Sequence, residues 1–155
     1  MEKDKGIKAG QERTKRTLVK GLKICLVIIV VAVLATVIFV LARLDIKGRE
    51  VLREAKNAKL ALRTTDIEYY GEGKSIYNPE SMNGLSEGVR ESVKDLMPGV
   101  DGDISLLSYD KKKKEITGLL YSKGRYRVYY YDTGKETEWT VYYMWRLMDF
   151  KEEKK

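Results

Sequence analysis

The side chains able to do chemistry are few in these 155 residues. There is no histidine, which removes the commonest general base and zinc ligand. The single cysteine, Cys25, lies inside an apolar run. A thiol there has no easy route to the reactive thiolate, and alone it forms no intramolecular disulfide. Three polar constellations remain. "DGD", with Asp101 and Asp103, offers two carboxylates in a loop, the start of a calcium site without the longer series of oxygen ligands. A turn ahead of a strand is the simpler account. Four lysines at 111–114 could meet anionic lipid or cell-wall polymer; a solvated hairpin turn is the simpler account. Arg125, Arg127, Tyr129 and Tyr131 alternate along one predicted strand, with Tyr142 nearby. Arginine interleaved with aromatics can stack bases and neutralise phosphates, which would make DNA a partner. The same pattern suits a protein-docking surface, or a half-exposed sheet face whose arginine stems cover tyrosine rings. No nucleophile–base pair, phosphate-binding glycine loop or metal cluster stands out. The expectation is a protein that is not an enzyme and holds no metal or cofactor.

Those residues need elements to position them, and the first is the apolar run. Residues 24–42 carry no charge, and Thr36 is their one hydroxyl. As a helix they rise about 28 Å, close to the roughly 30 Å of a hydrocarbon core. Fourteen of the nineteen are Leu, Ile, Val or Phe. At about −0.4 kcal/mol each, they favour insertion by roughly 6 kcal/mol, with no charge opposing. A helix inside a soluble core would show a polar face. A cleaved secretory signal would be shorter and end in small residues; this run ends "FVLARLDIKGRE".

The net charge of +7 divides unevenly. Residues 1–23 hold eight Lys/Arg and three Asp/Glu, a balance of +5; residues 43–155 hold twenty-two and twenty, a balance of +2. Positive charge ahead of a spanning helix keeps that end in the cytoplasm. The expected organisation is a basic cytoplasmic tail (1–23), a transmembrane helix (24–42), an extracytoplasmic domain (43–148) and a charged tail (149–155). The bilayer is then the first partner.

Beyond the span, Val51, Ala55, Ala58 and Leu62 recur at helical spacing among charges. This predicts one long helix from about Thr17 to about Asp66, or two helices hinged near Gly48. "YYGEGKSIYNPESMNG" reads as a loop. A short helix follows in "GLSEGVRESVKDLMPG", capped at Ser86, with Leu85, Val89, Val93, Leu96 and Met97 on its apolar side. From Asp103 the period changes to two. "ISLLSY", "EITGLLYS", "RYRVYYYD" and "WTVYYMWRL" read as four antiparallel strands joined by short turns. One face carries Ile104, Leu106, Ile116, Leu120, Tyr126, Val128, Val141 and Tyr143. That face needs a cover, and the amphipathic half of the long helix supplies it. The fold class is α+β.

This plan resembles the type IV pilins and the pseudopilins of type II secretion. Lys20-Gly21 stands where the prepilin leader ends, which makes Gly21 and Leu22 the implied cleavage position. "VIIVVAVLA" resembles the start of the family's apolar helix, "IKGREVLREAKNAKLAL" its alanine-rich continuation, and "EITGLLYSKGRYRVYYYD" its sheet hairpins. The departures are Lys23 at the usual threonine, Leu26 at the glutamate that helps place an incoming subunit, and Arg43 near the helix-kinking proline. The resemblance implies a non-enzymatic, single-pass subunit or minor component of a pilus-like or secretion-like envelope assembly, with related subunits or envelope proteins as partners. The alternative is a permanently anchored extracytoplasmic interaction module outside any fibre.

Overall fold

The computed structural model describes residues 3–144 and 146–148, with side chains from residue 20 except Arg146. The expected charged tail lies outside them. The order is α1 (Lys3–Gly71), α2 (Val89–Leu96), β1 (Asp103–Asp110), β2 (Glu115–Lys123), β3 (Tyr126–Asp132), β4 (Thr137–Tyr143) and β5 (Arg146–Met148). The strands form one antiparallel sheet in chain order. The class is α+β as expected, with five strands rather than four. The chain divides into two compact units, Met1–Leu44 and Asp45–Lys155.

The first unit is helical over its described residues. Its helix begins at Lys3 rather than near Thr17, since no proline interrupts residues 3–19 and most favour helix. Every side chain from residue 20 to 43 is exposed. The most apolar eighteen-residue stretch has a mean hydropathy of 3.5 and no buried residue. It is long and apolar enough to cross a membrane. Its one hydroxyl is satisfied within the helix: Thr36 Oγ1 donates to the Ala32 carbonyl at 2.8 Å.

In the second unit α1 carries the core. Val51, Ala55, Ala58 and Leu62 are buried as the stripe predicts, joined by Ala61. The helix runs through Gly48 unbroken. It also runs past Asp66 to Gly71, and its end is closed by Gly73 at φ 73° and by the Lys74 amide donating to the Tyr69 carbonyl at 2.8 Å. A left-handed glycine is the usual way to use up orphan carbonyls.

Sheet and loops complete this core. Ile104, Leu106, Ile116, Tyr126, Val128 and Val141 face it as expected. Leu120 does not: Leu119 and Tyr121 are fully buried instead. The cause is an irregular register between β1 and β2. Leu106 pairs with Leu119, Ser108 with Gly118 and Tyr109 with Ile116. Leu107 and then Thr117 are each skipped, so alternation restarts on the other parity. Gly118 permits this, because a Cβ there would lie 2.4 Å from Ser108 Oγ.

Two further expectations change. The fourth predicted strand is two, β4 and β5, because Met144 turns the chain at φ 58°. Tyr143 and Arg146 close the resulting hairpin. Ser86 does not cap α2. Gly88 is the N-cap, and Ser86 Oγ donates to the Ser75 carbonyl at 2.7 Å. On the short helix Val89 and Val93 are buried, while Leu96 is exposed. Ile76 and Val100, in connecting segments, complete the core.

Candidate interaction surface

Among the described residues the sheet's other face is open, and alternation decides what it shows. Arg127, Tyr129 and Tyr131 on β3 stand opposite Tyr142, Thr140 and Glu138 on β4. The inward neighbours Val128, Tyr130 and Val141 are buried. Arg127, Tyr129, Tyr131, Thr140, Tyr142 and Met144 line an open groove of about 400 Å³. Tyr129 and Tyr131 stack with centroids 6.2 Å apart and planes 6° from parallel. Tyr142 meets Tyr129 edge-on at 5.7 Å. These contacts fix the ring directions.

Four of the five residues expected on this surface are therefore together. Arg125 is not among them. It sits in the turn before β3, exposed, and its carbonyl accepts from the Met144 amide at 2.8 Å. Thr140, Met144 and Glu138 belong to the face without having been anticipated. Strand alternation could have found Thr140 and Glu138, since both share Tyr142's parity; Met144 needed the unforeseen turn. Gly21 and Leu22 lie in the first unit, exposed on α1.

The other two constellations resolve into local structure. Asp101 lies 3.8 Å from Lys123, while Asp103 pairs with Arg90. The two carboxylates thus serve different cations. The lysine run is the β1–β2 turn. Asp110 accepts from the amides of Lys112 and Lys113 at 2.9 and 3.1 Å, and the amides of Lys113 and Lys112 hold its pKa below the ordinary value. Lys114 Nζ lies 3.0 Å from the Tyr70 ring centroid.

No protein-family model, curated protein or solved structure matches the chain.

Two polar clasps fasten the sheet to α1, and sequence reading missed both. At one, Glu54 accepts from Tyr121 Oη at 2.8 Å and from Lys123 Nζ at 2.7 and 2.9 Å. The Tyr121 hydroxyl also accepts from the Gly102 amide at 2.8 Å. At the other, Tyr109 Oη donates to both oxygens of Asp66, at 3.1 and 2.8 Å. Between them Lys59 Nζ sits 3.5 Å above the Tyr130 ring, and burial lowers its pKa. Tyr130 Oη donates to Asp132, and its pKa is pushed up to about 12, by burial first and then by that bond.

Asp66 gives a pH test. Burial raises its pKa, while the Tyr109 hydrogen bond and nearby Lys114 pull the other way. The folded protein therefore holds this proton more tightly than the unfolded chain does. The stabilisation is full below the ordinary carboxylate range and is lost as pH rises through the raised value. In Asp66→Asn the titration is gone. Wild type should gain stability relative to that variant as pH falls from neutral towards about 4, in urea unfolding at a series of pH values. A difference that stays constant, or moves the other way, would assign the charge effect elsewhere.

Proposed function

We propose that this chain is a non-enzymatic, single-pass membrane protein on a pilin-like plan, presenting its sheet face to protein partners in the cell envelope. The observation that carries the reading is α1 itself. Over residues 24–42 it is apolar and exposed all round, the state of a lipid-facing helix. In the second unit it is amphipathic and covered by an antiparallel sheet. The +5 balance of residues 1–23 supports a cytoplasmic N-terminus and an extracytoplasmic second unit. The open tyrosine and arginine face supports protein contact, because interface cores are rich in both.

A topology reporter fused after Lys155 tests the orientation. Periplasmic or surface signal is expected; cytoplasmic signal would defeat it. A second reading is a permanent anchor that enters no fibre. Lys23 and Leu26 favour it, standing where the resemblance would place a threonine and a glutamate. Mass spectrometry of the mature N-terminus separates the two. A chain beginning at Leu22 supports leader processing and the assembling subunit. An intact residue 1–23 segment removes that claim and leaves the fixed anchor.

A further inference from the structure

We propose that the open sheet face pairs with the same face of a second copy of this chain. This rests on the reading of that face as a protein-contact surface and adds its partner. Tyr129 and Thr140 stand opposite each other at the centre. Arg127 lies towards one end on β3, and Glu138 lies towards the other end on β4. Both are exposed. A two-fold axis between the faces, running nearly across the strands, brings Arg127 of each copy against Glu138 of the other. Both pairs form at once, the mark of an isologous contact. The two sheets then cross obliquely, as twisted sheets packed face to face do.

The charges are held for this. Arg127 Nη1 donates to the carbonyls of Gly124 at 3.2 Å and Tyr126 at 3.1 Å. Glu138 Oε1 accepts from Thr140 Oγ1 at 3.3 Å. Around them, among the described residues, the face shows exposed apolar side chains: Tyr131 is 45% exposed, Met144 47% and Leu147 54%. Leu147 stands opposite Tyr142, so the exposed surface reaches β5. A contiguous apolar patch of this kind marks a contact surface. A polyanion laid along it meets the Glu138 carboxylate at one end. A second copy brings its own Arg127 to that carboxylate.

The test uses the full chain in cells, with Tyr131 replaced by a benzophenone amino acid and irradiated. The expected product is an adduct between two copies. Arg127→Glu alone and Glu138→Arg alone should each lower its yield by roughly tenfold, since each sets like charges together. Combining them should restore it, which separates a charge effect from misfolding. Adducts with other proteins but none between copies would overturn self-pairing and leave the contact-surface reading standing. No adduct at all would overturn both. A self-adduct indifferent to either swap would overturn the Arg127–Glu138 pairing, and with it the proposal.

Discussion

Gly84→Ala should destabilise the fold by about 3 kcal/mol or more. Two independent costs add. The residue has φ +70°, where a Cβ is strained, and that Cβ would lie 2.0 Å from the Leu106 carbonyl oxygen. The obstacle is backbone in β1, so no side chain can swing aside. Nor can the loop retreat freely, because the Leu106 amide donates to the Asn83 carbonyl at 2.7 Å. This contact pairs the outer edge of β1, which would otherwise be an open template. Gly99→Ala is the control: a Cβ there meets nothing within 4 Å, and its effect should stay within about 0.5 kcal/mol. Urea unfolding of the full chain in detergent, followed by tryptophan fluorescence, measures both. Equal midpoints for the two variants would mean that the loop does not sit against β1 in this way.

Glu54→Ala should cost about 2–3 kcal/mol. The carboxylate side chain is 13% exposed and that of Lys123 35%, so the loss falls below the roughly 3–5 kcal/mol of a fully buried pair. The Tyr121 hydroxyl loses its acceptor in a residue with no exposed surface, and a buried donor left unmatched costs about 1–3 kcal/mol. Glu54→Gln keeps an acceptor oxygen and should cost roughly half as much. A double-mutant cycle with Tyr121→Phe should give a coupling of at least about 1 kcal/mol. Additive losses would show that the two groups do not act together.

The features legible in sequence are those that repeat. The α1 stripe at Val51, Ala55, Ala58 and Leu62 is regular, and its burial follows. The β3 alternation is equally regular, so the tyrosine face could be read before it was seen. Single interruptions were harder. Gly118 inside a strand pattern is the one sign that the inward set moves from Ile116 to Leu119 and Tyr121, because a lone strand glycine marks a bulge. Met144 carries no sign of its turn, since left-handed backbone is uncommon for a methionine. The clasps were invisible for another reason. Glu54 and Asp66 look like the solvated flank of an amphipathic helix until the sheet delivers a tyrosine hydroxyl to each. Those partners are distant in sequence, and nothing local announces them.

The spacing of the clasps has a mechanical consequence. Glu54 and Asp66 lie about 18 Å apart along α1 at a rise of 1.5 Å per residue. Each holds a different strand, through Tyr121 on β2 and Tyr109 on β1. A pull along the helix axis would load both in shear, together with the apolar side chains between them. Neither can be peeled away before the other takes strain. Under such a load the second unit should resist sliding and then give way in a single rupture.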